Sequence, residues 1–270
     1  MKIALMDSGI GLLAAAAAVR RLRPDADLVL SSDPDGMPWG PRTPQDVTER
    51  ALAVAQAAAE HRPDALIIAC NTASVHALAT LRAELEPWLP VIGTVPAIKP
   101  AAAAGGPFVI WATPATTGSP YQRALIRDFA SSAQVTEVPC PGLADAVQEA
   151  DEAAIDRAVA AAAALTPRDV RAVVLGCTHY ELVAERIRAA VQQPGLPPVV
   201  LHGSAEAVAA QALRRVGGRT AAPAAVVPAG PVAPPVARLT VLLGGRESAL
   251  PGPALAYAEG RLLAAVSQVH

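Results

Sequence analysis

The sequence predicts an α/β fold in two similar halves, and three observations carry that expectation. Short apolar runs alternate with longer Ala-, Leu-, Arg- and Glu-rich stretches at helical period. The apolar runs are continuous, the pattern of parallel strands covered on both faces. Two of them end alike. Ala65-Leu-Ile-Ile-Ala69 breaks into Cys70-Asn71-Thr72-Ala73-Ser74, and Ala172-Val-Val-Leu-Gly176 breaks into Cys177-Thr178-His179-Tyr180. Each is a buried strand, then a small polar turn with a thiol, then a helix.

The elements follow in order. Lys2–Met6 is the first strand, and Arg23-Pro24 closes the helix after it, because proline cannot continue a helix. Asp27–Ser31 is the second strand. Thr43-Pro44-Gln45-Asp46 opens a helix with a cap residue, proline at the first helical position and an acid in the first turn. Ala65–Ala69 and Val91–Thr94 complete the first half. The second half repeats the scheme with Phe108–Ala112, a helix opened by Ser119-Pro120-Tyr121, then Val135–Val138, Ala172–Leu175 and Val199–Leu201. Ser204-Ala205-Glu206 opens another helix. From about 217 to 237 the composition turns to Gly, Pro, Ala and Val, a loop or linker with polyproline tendency. Leu239–Leu243 reads as a last strand and Pro251–Val266 as a last helix. The strands thus fall into two sets of four. Asp7 precedes Cys70 by 63 positions and Thr113 precedes Cys177 by 64, which supports halves facing each other across a pseudo-twofold axis. One continuous sheet without symmetry is the plainer alternative.

Bulk properties narrow the function. With 270 residues, 52% hydrophobic and 17% charged, the chain builds a full-sized core. A formal net charge of -2 without a dense Lys/Arg cluster argues against nucleic-acid binding. No apolar run reaches the length of a membrane span, and the start is too short for a signal peptide. We expect a soluble cytoplasmic protein with no nucleic-acid or membrane partner. Three cysteines without framework spacing fit neither a disulfide scaffold nor a zinc site.

In parallel sheets, ligands bind beyond the carboxyl ends of the strands. Those ends read Asp7-Ser8-Gly9, Ser32-Asp33, Cys70-Asn71-Thr72, Thr113 and Cys177-Thr178-His179. The thiolate is the reactive form of cysteine, and a helix N-terminus or a polarising neighbour lowers its pKa. Cys70 and Cys177 both precede a helix, with Asp7 and His179 as their candidate proton partners. Two opposed thiols can take a proton from one face of a carbon and return one to the other face, which inverts it. The lysine-bound pyridoxal phosphate route is disfavoured, since the lysines are Lys2 and Lys99, neither in a phosphate-loop context. No cofactor and no metal are expected. A Cys-His-Asp hydrolase is the rival reading of Cys177 with His179, and it leaves Cys70 unexplained. Cys140, between Pro139 and Pro141, reads as structural, and His61 and His76 read as surface helix residues.

These motifs, together with Asp7-Ser8-Gly9-Ile10-Gly11, Pro38-Trp39-Gly40 and Val91 to Ile98, resemble the cofactor-independent aspartate/glutamate racemase superfamily, most closely its glutamate racemases. The resemblance runs over most of the chain. It implies two flavodoxin-like α/β subdomains with the substrate between them: residues 1–93 plus 204–270, and residues 94–203. It implies an isomerase that interconverts L- and D-glutamate for peptidoglycan precursor synthesis. Cys70 would be the base toward the D-enantiomer and Cys177 toward the L-enantiomer, assisted by Asp7 and His179. Ser8, Trp39, Gly40, Asn71, Thr72 and Thr178 would bind the substrate, with Thr113 and Thr116 in the matching loop of the second half. The family often forms homodimers. The chain departs from the family pattern at Leu12, where a second Gly is usual, and at Trp39, where Tyr is usual. Gln148 stands in the register of an assisting Glu, with Glu149 next to it, and Gly203-Ser204 replaces an Asp-Ser pair. Racemases of aspartate or hydantoins, and a non-catalytic binding relative, remain alternatives.

Overall fold

The computed structural model describes residues 1–218 and 237–267. The expected Pro-rich segment lies almost wholly outside the described residues.

One sheet contains β1 (Lys2–Asp7), β2 (Asp27–Ser32), β3 (Ala65–Ile68) and β4 (Val91–Gly93). A second contains β5 (Phe108–Ala112), β6 (Val135–Pro139), β7 (Ala172–Leu175) and β8 (Val200–His202). The chain then returns to the first sheet with β9 (Leu239–Leu243) and β10 (Arg246–Ser248). The strand orders are β10-β9-β2-β1-β3-β4 and β6-β5-β7-β8. All pairings are parallel except β9 with β10. The protein is thus two parallel-sheet α/β subdomains.

The second sheet has the four strands expected of it, and the first has its expected four together with β9, at the bounds expected for a last strand, and β10. β10 was not anticipated. It pairs back on β9 through Gly244-Gly245, both with positive φ (55° and 75°), as a two-residue hairpin requires.

Between the strands lie α1 (Leu13–Leu22), α2 (Pro44–Glu60), α3 (Asn71–His76), α4 (Leu78–Leu85), α5 (Ile98–Ala104), α6 (Pro120–Ala130), α7 (Leu143–Glu149), α8 (Glu152–Leu165), α9 (Ala184–Val191), α10 (Ala205–Gly217) and α11 (Ala258–Ser267). Two of the expected caps form. Thr43 accepts from Asp46 N–H and Ser119 from Gln122 N–H, each followed by proline. Ser204 makes no such bond, because Glu181 covers that helix start instead. The segment after Cys177 is a 3-10 helix, Thr178–Val183, that leads into α9. The last helix starts at Ala258 and not at Pro251, where a 3-10 turn, Gly252–Ala256, intervenes.

Both faces of the strands are buried. Ile3 and Leu5 join one apolar cluster while Ala4 and Met6, alternating with them, join another. The first of these clusters continues into the second subdomain through Val109, Trp111, Val173 and Leu175. A single core therefore sits between the sheets and holds their strand ends in a fixed relation.

Candidate active site

Both sheets repeat one strand order. β1 is flanked by β2 and β3 as β5 is flanked by β6 and β7. The order in which strands are added reverses between β1 and β3 and between β5 and β7, and at such switch points the loops diverge and leave a crevice. Asp7 and Cys70 stand at the first, Thr113 and Cys177 at the second. The two crevices open on one cavity of about 260 Å³. All twelve residues expected from the sequence line it: Asp7, Ser8, Trp39, Gly40, Cys70, Asn71, Thr72, Thr113, Thr116, Cys177, Thr178 and His179.

On the first side, Asp7 is fully buried at the end of β1. Its Oδ1 accepts from Ser8 N–H at 2.7 Å, and Thr178 Oγ1 donates to Oδ2 at 3.4 Å from the other subdomain. Burial outweighs these bonds and pushes its pKa up to about 7. Cys70 caps α3, its Sγ accepting from Ala73 N–H at 3.5 Å. Burial and the neighbouring Asp7 carboxyl nevertheless raise the thiol well above its usual range.

On the second side, Cys177 Sγ lies 3.9 Å from His179 Nδ1. Burial pushes its pKa up to about 12, with Asp7 and Cys140 adding to the rise and the His179 backbone opposing it. Burial lowers His179 to about 4. The sequence argument that helix starts lower both thiols is therefore overturned. Desolvation costs the thiolate more than a six-residue helix or a 3-10 turn returns.

Asn71 joins the two sides. Its Nδ2 donates to Gly176 O at 2.9 Å, while its Oδ1 is buried with no partner. Gly176 itself lies tight against β5, where a Cβ would come within 2.7 Å of Trp111 O. Trp39 is 2% exposed and forms a wall. Its indole N–H donates to Asp33 Oδ2 at 3.1 Å, and Arg50 donates to the same oxygen. Thr113 and Thr116 hydroxyls meet at 3.3 Å across the cavity rim. Among the described residues no Lys or Arg lines the cavity. An anionic ligand would be held by backbone N–H groups and hydroxyls. No group of three His, Cys, Asp or Glu among the described residues is arranged for a metal ion.

Among the titratable residues of the lining, sequence reasoning missed two. Cys140, read as structural, also lines the cavity; it directly follows β6, and the strand-end rule that found the other tips applies to it equally. Its Sγ donates to Val138 O, and burial raises its pKa to about 12. Asp145 reaches the cavity from α7, with no sequence signal to mark it.

The sequence profile of the family described as Asp/Glu/Hydantoin racemase matches residues 11–210. A glutamate racemase of Pseudomonas putida is 34% identical over 220 residues, covering 80% of this chain and 81% of that relative. One from Granulibacter bethesdensis is 38% identical over 220 residues, covering 78% and 77%. Among solved structures, Escherichia coli glutamate racemase in complex with L-glutamate and the activator UDP-MurNAc-Ala superposes with a TM-score of 0.76. It is 26% identical and covers 98% of this chain and 95% of its own.

Proposed function

The chain belongs to the Asp/Glu/Hydantoin racemase family, and from that premise we propose that it interconverts L- and D-glutamate by a two-thiol, two-base route. The observation that carries the proposal is that Cys70 and Cys177, at the switch points of two separate sheets, open on one cavity. The curated relatives of similar sequence named glutamate racemase favour glutamate as the substrate.

The protons balance as follows. One cysteine, as thiolate, takes the α-proton and becomes a thiol. The carbanion then takes a proton on its opposite face from the other thiol, which is left as thiolate. Reversal restores the starting state. Both thiols are held protonated by burial, so each needs an acceptor beside it. Asp7, with a pKa of about 7, is matched to that task at neutral pH for Cys70. His179, neutral at that pH, offers a lone pair to Cys177. The unpartnered Asn71 Oδ1 suits the substrate ammonium. N–H groups at the start of α3 and the hydroxyls of Ser8, Thr72, Thr113, Thr116 and Thr178 suit the carboxylates. Trp39 and Gly40 form the wall against which the side chain rests.

The same reading takes residues 1–93 with 204–270 as one subdomain and 94–203 as the other, supported by the division of strands between the sheets. It makes D-glutamate for peptidoglycan precursors, and it includes assembly as a homodimer, which sedimentation velocity measures.

The test of the activity is incubation with L-glutamate in D2O, following the α-proton signal and the optical rotation. Loss of both is expected. If neither changes, glutamate is not the substrate; exchange of aspartate or of a hydantoin would reassign the substrate within the family.

A further inference from the structure

Gln148, on α7, places its carboxamide oxygen between two groups. The backbone N–H of Ile10, in the loop after β1, lies 2.9 Å away, and His179 Nε2 lies 3.1 Å away. A backbone N–H can only donate, so the atom it meets is the carboxamide oxygen and not the nitrogen. That oxygen can only accept. His179 Nε2 must therefore carry a proton. In a neutral imidazole the other nitrogen is then a bare acceptor, and that nitrogen, Nδ1, is the one 3.9 Å from Cys177 Sγ.

Two glycines make room for this arrangement. A Cβ on Gly9 would overlap the Gln148 carboxamide, and a Cβ on Gly11 would lie 2.6 Å from His179 Nδ1. Ile10 belongs to the β1 side of the cleft, whereas Gln148 and His179 belong to the β5–β8 side. One oxygen thus ties the imidazole to the opposite subdomain.

We propose that Gln148 is a positioning residue that locks His179 as its Nε2–H tautomer, turning the Nδ1 lone pair to the Cys177 thiol while Ile10 N–H pins the lock across the cleft. The consequence for catalysis rests on the racemase reading; the tautomer itself does not. The lock matters because the alternative tautomer would present N–H to sulfur and could not accept its proton. A neutral amide adds no charge that would favour an imidazolium, and burial likewise keeps the ring neutral.

Two measurements decide it. In the ligand-free protein labelled with 15N-histidine, with His179→Asn used for assignment, nitrogen–proton correlation is expected to show His179 protonated at Nε2 and bare at Nδ1. Gln148→Leu should lose that preference, and Gln148→Glu, which keeps an acceptor, should retain the proton on Nε2. A proton on Nδ1 alone in the wild type overturns the proposal, whatever the substrate proves to be. The second measurement uses L- and D-glutamate deuterated at the α-carbon. Because the equilibrium constant is one, Gln148→Leu must lower kcat/KM equally in both directions, by about 100-fold. The deuterium effect on kcat/KM should rise only for the enantiomer whose proton passes to Cys177. Gln148→Glu should restore most of the rate. An effect that rises equally for both enantiomers, or no recovery in Gln148→Glu, marks a merely structural role and overturns the proposal. If the wild type leaves glutamate untouched, the function fails and the nitrogen spectrum alone decides the tautomer.

Discussion

Asp7 is a carboxylic acid sealed from water, and its behaviour with pH follows from that. Its pKa rises from 3.8 to about 7 on burial. Below about pH 4 the group is neutral in both folded and unfolded chains and costs nothing. Between pH 4 and 7 the unfolded chain ionises while the folded one resists, so stability is lost as pH rises through that window. At ~1.4 kcal/mol per unit, the loss approaches about 4 kcal/mol at most. Asp7→Asn removes the ionisation. Urea unfolding from pH 4 to 8 should therefore show the wild type losing stability relative to this variant, and a gap that moves the other way contradicts the burial argument. The two thiols give a second expectation at this scale. Cys70→Ser and Cys177→Ser exchange a thiol for a hydroxyl that is far harder to deprotonate. Each should lower racemisation of glutamate by about 100-fold or more while circular dichroism stays unchanged. Turnover close to that of the wild type in either variant removes that thiol from the mechanism. Nine of the twelve expected residues (Asp7, Ser8, Cys70, Asn71, Thr72, Thr113, Cys177, Thr178 and His179) were legible because each stands at or just past a strand end, where local pattern and tertiary position coincide; Trp39, Gly40 and Thr116 lie farther along their loops and were expected only from the family resemblance. The thiol pKa values were not legible, because desolvation depends on what the rest of the chain stacks over the site.

At the scale of elements, the helix starts divide into those written locally and those written elsewhere. Thr43 and Ser119 cap their own helices, and their partners lie three residues on, so the sequence shows them directly. The start of α10 is different. Glu181 Oε1 accepts from Ser204 N–H and Oγ–H, both at 2.8 Å, and from Ala205 N–H at 3.2 Å. The capping group comes from 23 positions earlier in the chain, which no local pattern contains. A partly buried carboxylate at a helix N-terminus meets both the free N–H groups and the helix dipole. Gly203 gives it room, since a Cβ there would lie 2.7 Å from Glu181 Cδ. Glu181→Ala should lower the unfolding free energy by about 1–3 kcal/mol, read from denaturant midpoints. A change below a few tenths would mean that water replaces the cap. The missed β10 is the reverse case. Its signal, Gly244-Gly245 between short apolar and polar runs, was present in the sequence as a hairpin turn. The strand itself is three exposed residues without the apolar run that marks the others.

At the scale of the molecule, the repeated strand order was legible as matched spacing and matched tips, whereas the continuity of the core was not. Side chains from both sheets share one apolar cluster, so neither subdomain buries its inner face alone. The chain end reinforces the joint. Tyr257, just before α11, donates its hydroxyl to Val147 O at 2.6 Å in a buried bond. It thereby fastens the last segment to α7, one residue from Gln148. Asn71 Nδ2 to Gly176 O and Ile10 N–H to the Gln148 oxygen cross the same joint. Chains of this length often unfold in stages, one subdomain at a time. Here separation would expose the shared cluster and leave these buried polar groups unpaired, which favours concerted loss. Calorimetry should show one transition with equal calorimetric and van't Hoff enthalpies. Tyr257→Phe keeps the ring packed and strips the donor from Val147 O, a loss of about 1–3 kcal/mol. That corresponds to a fall in Tm of roughly 2 to 10 °C, with the transition still single. Two resolved peaks in the wild type would show that the subdomains stand independently and that the shared core does not bind them into one unit.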